Sequence, residues 1–276
     1  MRAGRPPSQI IRVEQLARSR ICILLVFVTA ACNSPKSATA DGGEEMGRTR
    51  AAAAPTSSPS AVATIEGSVR VTGKIPSLPP LKTSDAVAKV CGVEVPDRTL
   101  EVGEGGGLAG VVVFLAEADV APLDGPASGQ SPAVIDQRKC EYWPPVLAMR
   151  AGTEVVFRNS DPLLHNVHGK DSGPLFNFAM PVQGLTVRKG LPQSPEVLRL
   201  SCDVHPWMHA VVRTFNHPYF ALTDSRGHYQ LASVPAGRRK LGFWHQRFPE
   251  KTIELEALRS RANQADLDWP ANELRR

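Results

Sequence analysis

The strongest constraint in this sequence is a short strand that ends in a cysteine and leads into a turn. Leu198, Leu200 and Cys202 occupy every second position, which in a β-strand places all three on one face. The residues that follow include a proline, which predicts a turn, and the apolar segment 210–215 predicts a returning strand. The pattern therefore predicts a hairpin in which Cys202 ends the first strand on its apolar face.

Four side chains in and near this hairpin carry nitrogen or sulfur donors. The turn holds His205 and Met208 close to Cys202, and a second strand, segment 155–161, leads into a loop with His165. Two imidazoles, a thiolate and a weak axial thioether are the ligand set of a blue-copper site, which can hold both Cu(I) and Cu(II). Any one of these residues alone is more simply a buried cysteine or a loop histidine. The four together, in this order and strand context, favour a metal site.

The Cys-x2-His-x2-Met loop, with a His-Asn pair upstream, resembles the copper loop of the amicyanin and plastocyanin-like cupredoxins, which are blue type 1 copper proteins. Segment 150–159 also resembles the cupredoxin pattern of a glycine turn, an apolar strand and an asparagine. The resemblance covers residues 133–215, about a third of the chain. It implies a cupredoxin Greek-key β-sandwich over residues 130–216.

The resemblance also implies a ligand set and an activity. One type 1 copper ion would be bound by His165, Cys202, His205 and Met208. The backbone amide of Asn166 would donate a hydrogen bond to the cysteine sulfur, a contact that holds the ligand geometry and tunes the potential. Four ligands leave no open position for a substrate. The expected activity is therefore one-electron transfer to an unidentified redox protein partner, and not enzymatic catalysis.

Two other functions stay open alongside electron transfer. One is copper trafficking or sequestration, and the other is a surface interaction module in which copper is structural. In the electron-transfer hypothesis, His205 carries the electron to the surface, and Trp207 forms an apolar rim around an exposed edge of that imidazole. The complete ligand set, with its axial methionine, favours electron transfer over the other two.

A second resemblance lies beside the cupredoxin segment. Segment 223–237 reads Thr-Asp-x-x-Gly-x-Tyr-x-Leu-x-x-Val-Pro-Ala-Gly and resembles the carboxypeptidase regulatory-like, or transthyretin-like, β-sandwich. That family has two earlier strands, which segments 64–71 and 109–116 match. We therefore expect an all-β chain in which the cupredoxin is inserted into a sandwich whose halves are residues 63–120 and 217–270. The alternative is two consecutive modules, with 63–120 packed on the copper sandwich.

The first 32 residues predict export. An arginine-rich segment precedes an apolar run, 21–31, that is too short to span a bilayer and fits a secretory signal. The run ends at Cys32 and resembles a lipobox, which implies secretion across the inner membrane and a lipid anchor in the periplasm or cell envelope. An ordinary signal peptide with a chance cysteine is the alternative. Residues 33–62 are rich in small and polar residues without an apolar period, which predicts a disordered linker.

The cysteine count fits this interpretation. Of five cysteines, Cys22 lies in the signal, Cys32 is the lipidation site and Cys202 is a ligand. Cys91 and Cys140 remain, and in an oxidising compartment they predict a disulfide, with two unpaired thiols as the alternative.

The charge excludes one class of partner. The formal net charge is +5, but residues 1–32 hold five arginines and one glutamate, so the remainder has 27 basic and 26 acidic residues. A nearly neutral mature chain does not predict a nucleic-acid-binding surface.

Overall fold

The computed structural model describes residues 62–116, 120, 132–171, 173–194, 196–259 and 261–275. The predicted signal peptide, the lipidation site at Cys32 and nearly all of the predicted linker lie outside the described residues. No helix in the described part of the chain is long and apolar enough to cross a membrane.

The described chain consists almost entirely of β-strands, which confirms the all-β prediction. In chain order the strands are β1 (Val62–Thr72), β2 (Leu81–Lys82), β3 (Glu94–Val95), β4 (Val112–Leu115), β5 (Ala133–Arg138), β6 (Glu141–Trp143), β7 (Val146–Arg150), β8 (Glu154–Asn159), β9 (His165–Lys170), β10 (Pro174–Met180), β11 (Thr186–Gly190), β12 (Val197–Ser201), β13 (His209–Phe215), β14 (Phe220–Leu222), β15 (His228–Pro235), β16 (Gly237–Trp244), β17 (Lys251–Ala257), β18 (Ala262–Gln264) and β19 (Leu267–Pro270). One short α-helix, α1 (Ala88–Cys91), and 3-10 turns at Glu104–Gly106 and Ala271–Glu273 complete the described elements.

The strands β5 to β13 form two sheets that pack face to face. One sheet has the order β10-β9-β12-β13-β7 and the other has the order β11-β8-β5-β6. The pairs β13–β7 and β5–β8 are parallel. All nine strands lie between Ala133 and Phe215, within the segment that resembles a cupredoxin. Apolar side chains of both sheets fill the space between them, among them Ile135, Phe157, Val167, Leu198 and Val212, all fully buried.

The predicted hairpin is formed by β12 and β13. Leu198 and Leu200 are buried, while Arg199 between them is exposed, because alternate side chains of a strand point to opposite faces. Leu200 pairs with Ala210 across the hairpin. The turn between these two strands carries three of the predicted ligands.

The remaining long strands form a second pair of sheets. In one, β1 lies between β15 and β18 and also pairs with β19; the other has the order β14-β4-β16-β17. Strands β1 and β4 precede the first sandwich in the chain, whereas all their partners follow it. Strands from before and after the first sandwich therefore pair with each other. The division into modules with halves of residues 63–120 and 217–270 stays a prediction.

One segment of the first half does not belong to this second core. Between β1 and β4, the chain forms the β2–β3 pair and α1, and Cys91 is joined to Cys140 of the first sandwich by a disulfide. Cys91 and Val87 also pack into the core of that sandwich. The disulfide therefore joins this segment, which lies within the predicted half 63–120, to the first sandwich.

The two sandwiches share a small apolar junction. Val112 and Phe114 on β4 pack with Val146 and Phe215 from the first sandwich. The guanidinium of Arg213 lies 4.2 Å from the centre of the Phe114 ring. Strand β13, which follows the turn with the predicted ligands, therefore also contacts the second sandwich.

We expect His245, in the loop after β16, to make the protein sensitive to acid. Its imidazole is 2% exposed, and burial lowers its pKa from 6.5 to about 4. Between these two values the unfolded state binds a proton that the folded state does not, so the free energy of unfolding falls as the pH falls, by about 3 kcal/mol in total. Urea unfolding between pH 7 and pH 4 measures this loss.

The matched variants are His245→Asn and, as the control, His228→Asn on the exposed end of β15. We expect His245→Asn to flatten the dependence of unfolding free energy on pH, and His228→Asn to leave it unchanged. Equal slopes in wild type and His245→Asn would contradict the assignment.

Candidate metal centre

Backbone hydrogen bonds close the turn between β12 and β13. The amide of Met208 donates to the carbonyl of His205 at 2.9 Å, and the amide of Cys202 donates to the carbonyl of Met208 at 3.3 Å. Cys202, His205 and Met208 are 2%, 3% and 1% exposed. The turn therefore folds these three side chains inward, to one end of the sandwich core.

His165 reaches the same point from the other hairpin. It is the first residue of β9, is fully buried and lies opposite Met180. The loop before it is held by Asn159, whose Nδ2 donates to the carbonyls of Leu163 and Met180, each at 2.8 Å. Asn159 Oδ1 accepts from the amide of Asp161 at 3.0 Å. One buried amide side chain therefore shapes the loop that presents His165.

Three of the predicted ligands meet. The Nδ1 atoms of His165 and His205 are 2.9 Å apart, and the Cys202 sulfur is 3.7 Å from His205 Nδ1. The donor atoms of all three lie within 4.8 Å of one another. Metal–nitrogen and metal–sulfur bonds of about 2.0–2.3 Å, as for zinc, place two donors to one ion at most roughly 4.5 Å apart. The distances of 2.9 Å and 3.7 Å are both below this limit, so these atoms could bind a common ion.

Met208 follows this group in the same turn and packs in the same core as Cys202. Its role as the fourth ligand stays a prediction.

A carboxylate that the sequence did not single out orients His165. Asp161 Oδ2 lies 3.0 Å from His165 Nε2, and both side chains are buried. Burial alone raises the pKa of Asp161, but the hydrogen bonds from His165 and from the amides of Cys140 and Lys139 outweigh it and lower the pKa. The ionised carboxylate accepts, so His165 Nε2 carries the proton and Nδ1 presents its lone pair to the site.

The surroundings of Cys202 favour the thiolate, the form that binds metals. Burial alone raises the pKa of Cys202, but the neighbouring His165 imidazole and the hydrogen bonds from the amides of Asn166, His205 and Val204 lower it below its usual value. The amide of Asn166 is the donor that the cupredoxin resemblance implies. The Asn166 side chain also accepts from the amide of Asp203 at 2.6 Å, which ties the two ligand loops together.

The surroundings shift the pKa values of the two imidazoles in opposite directions. Burial lowers the pKa of His165, but Asp161 and Cys202 outweigh burial and raise it. Burial and the neighbouring His165 both lower the pKa of His205. His205 is therefore held neutral, the form in which an imidazole nitrogen can bind a metal.

Tyr142 on β6 is a second residue that sequence reasoning missed. Its ring is 1% exposed, and its hydroxyl lies 2.8 Å from the carbonyl of Asn166 and 3.0 Å from that of Ser201. These carbonyls precede or follow ligand residues on different strands. The Tyr142 hydroxyl therefore links the two ligand loops. This contact could not be predicted from the sequence, because it depends on how the strands are arranged.

The prediction that His205 has an exposed edge is wrong. The side chain is 3% exposed, and the ring of Trp207 lies 5.2 Å from it, centre to centre. Trp207 therefore covers His205 instead of framing an open edge. His168, which lies three residues after His165, is not in the group: its Nδ1 is 2.9 Å from Asp203 Oδ1.

The cysteines of the described chain follow the expected division. Cys91 and Cys140 form a disulfide, and Cys202 is the one free cysteine of the described residues. Cys140 also lies close to Asp161 and His165, but a disulfide sulfur is not a thiolate ligand.

No protein-family model matches this chain, and no curated protein matches it. Among solved structures, it is similar to a copper-containing nitrite reductase (NirK) from Thermus scotoductus SA-01, with 23% identity over 38% of this chain and 27% of that chain and a TM-score of 0.28. It is also similar to amicyanin from Paracoccus versutus, with 21% identity over 38% of this chain and 97% of that chain and a TM-score of 0.28.

A purple cupredoxin from Nitrosopumilus maritimus is similar with 23% identity over 30% of this chain and 99% of that chain, with a TM-score of 0.27. The chain thus spans about a quarter of the nitrite reductase and nearly the whole of the two smaller proteins. Because the TM-scores are low, a functional assignment rests on the geometry of the site itself.

Proposed function

We propose that this protein binds one type 1 copper ion and transfers single electrons outside the cytoplasm. The observation that carries the proposal is the buried group of two imidazole Nδ1 atoms and one cysteine sulfur: the two Nδ1 atoms are 2.9 Å apart, and the sulfur is 3.7 Å from His205 Nδ1. Met208, in the same turn, supplies the weak axial thioether. A His2Cys group with an axial methionine is the donor set of electron-transfer copper sites.

Bound copper would supply a one-electron couple whose potential depends on the axial ligand and on hydrogen bonding at the cysteine sulfur. The residues of this chain hold the donors before any metal arrives. Asp161 fixes the ring of His165, the amide of Asn166 donates to the sulfur, and the proposed ligands are at most 3% exposed. A dry, hydrogen-bonded shell of this kind controls solvent access and the local dielectric.

The proposed ligands leave no open position for a substrate, so we propose a carrier and not an enzyme. On the His205 side, the half-buried ring of Trp207 lies between the imidazole and the solvent. Electrons would therefore pass to a redox protein partner through Trp207. The same burial argues against trafficking, because a ligand set enclosed on this side cannot easily pass its metal to another protein.

We further propose that the protein is secreted and held at the cell envelope by a lipid on Cys32. The support is the sequence of residues 1–32 and the disulfide, which is typical of proteins outside the cytosol. The second sandwich, formed from residues 63–120 and 217–270, would be of the carboxypeptidase regulatory-like type. The strand pairings between these two segments support its split arrangement.

The proposal is tested by adding Cu(II) to the purified protein and recording its visible spectrum. We expect an intense thiolate-to-copper band that is absent in Cys202→Ser and shifted in Met208→Leu, because the first variant removes the thiolate and the second removes the axial ligand. His168→Ala is the matched control and should keep the wild-type band. A folded wild-type protein without such a band would refute the copper assignment.

A further inference from the structure

The turn between β5 and β6 has an unusual backbone. Lys139 and Cys140 have φ values of 51° and 58°, in the left-handed region that residues other than glycine seldom adopt. Such a conformation persists where surrounding contacts determine it. In this turn the contacts come from the two loops that carry the histidine ligands and from the Cys91 segment.

On one side the turn contacts the His165 loop. The amide of Lys139 donates to Asp161 Oδ1 at 2.7 Å, and the amide of Cys140 donates to Asp161 Oδ2 at 2.8 Å. The same Oδ2 atom is 3.0 Å from His165 Nε2. The two amides of the turn therefore set the position of the carboxylate that orients His165.

On the other side the turn contacts the His205 loop. The indole N–H of Trp207 donates to the carbonyl of Cys140 at 3.2 Å, and the Trp207 ring packs on His205. The backbone amide of Cys140 thus bonds to the His165 loop, and its carbonyl bonds to the His205 loop. A shift of this residue would move the supports of both imidazoles.

The side chain of Cys140 is the third attachment. It is bonded to Cys91 at the end of α1, in a segment outside the sheets of this sandwich. Cys140 is fully buried, and its sulfur lies within 4.8 Å of donor atoms of Asp161 and His165. The disulfide therefore holds the turn at Cys140, the residue to which both ligand loops are hydrogen-bonded.

We propose that the Cys91–Cys140 disulfide is a positioning element of the metal centre. It locks the left-handed turn, and through the Asp161 carboxylate and the Trp207 indole it holds the imidazoles of His165 and His205 in place for the metal. The identity of the metal rests on the function proposed above. The positioning itself is a property of the metal-free protein and can be measured there.

The test compares wild type with the double variant Cys91→Ser/Cys140→Ser, which leaves no stray thiol beside the site. In the metal-free protein, we expect the amides of Lys139 and Cys140 to exchange hydrogen for deuterium at least tenfold faster in the variant. In the loaded protein, we expect copper affinity, measured by chelator competition, to fall about 10- to 100-fold, as for other lost supports of metal ligands, with a changed Cu(II) EPR hyperfine coupling.

Val87→Ala is the matched control. Val87 lies in the same segment and packs against the core cluster that contains Cys91 and Cys140, and its substitution leaves the disulfide intact. A general loss of stability would move both variants alike, whereas positioning changes the EPR signal and the affinity in the cysteine variant alone. Equal exchange, affinity and EPR signal in the double variant and in Val87→Ala would overturn the proposal.

If the double variant does not fold, Trp207→Phe decides, since it removes the donor to the Cys140 carbonyl and keeps an aromatic ring beside His205. We expect it to weaken copper binding and to speed exchange at the turn; wild-type values for both would overturn the proposal. A folded wild type that binds no copper would refute the proposed function instead, and the exchange measurement on metal-free protein would still decide the positioning role.

Discussion

Replacing Asp161 with asparagine is expected to weaken copper binding about 10- to 100-fold, the range found for lost partners of metal-bound histidines. The carboxylate accepts from His165 Nε2 and from the amides of Lys139 and Cys140. An asparagine has one accepting oxygen, and its NH2 group faces a donor. If it faces Nε2, the His165 proton moves to Nδ1, the nitrogen that must bind the metal.

The same variant is expected to lose about 2–4 kcal/mol of unfolding free energy, because buried hydrogen bonds to a charged group are lost. Copper affinity from chelator competition and urea unfolding of the metal-free protein measure the two effects. Asp136→Asn is the control, since its carboxylate accepts from Ser160 Oγ near the same loop without touching a ligand. Equal affinities of Asp161→Asn and Asp136→Asn would show that Asp161 does not orient His165.

Replacing Trp269 with alanine is expected to cost about 4 kcal/mol of unfolding free energy, as for other large aromatic residues in cores. The side chain is fully buried, pairs with Val71 across β1 and β19, and stacks on Phe248 at 5.2 Å. Its loss leaves a cavity in the second sandwich. The copper band should remain, because the ligands belong to a separate core.

Trp269→Phe is the matched variant. The indole Nε1 is buried without a hydrogen-bond partner among the described residues, so replacing it with a phenyl ring removes an unsatisfied donor and should cost much less than alanine. Urea unfolding and hydrogen exchange along β1 measure the effect. A cost below about 1 kcal/mol for Trp269→Ala would mean that β19 contributes little to this core, and would weaken the case for a sandwich built from both segments.

Local patterns in the sequence predicted much of the centre. The alternation of Leu198, Leu200 and Cys202 predicted a strand with a buried sulfur, and the β12–β13 hairpin has that form. The type and order of the donor residues predicted that His165 would meet Cys202 and His205, and the three do lie together. Such patterns are readable because they depend on neighbours along the chain and on the donor chemistry of single residues.

The residues that hold the ligands in place could not be predicted from local patterns. Nothing near Asp161 in the sequence marks it as a support, because the two amides that bond to it come from the turn at Lys139 and Cys140. Trp207, which covers His205, donates its indole N–H to the Cys140 carbonyl. Each contact joins residues more than 20 positions apart. No periodicity relates such residues, so their meeting depends on how the sheets pack.

The sequence by itself determined the all-β class, the hairpin and the set of donor residues, because strand periodicity and ligand chemistry are local properties. Only the tertiary structure decided how those donors are held: which carboxylate orients His165, what shields His205, and on which sandwich the Cys91 segment rests. The physical reason is that a buried polar group must find its partner in space, and partners distant in sequence become neighbours only when the sheets have packed.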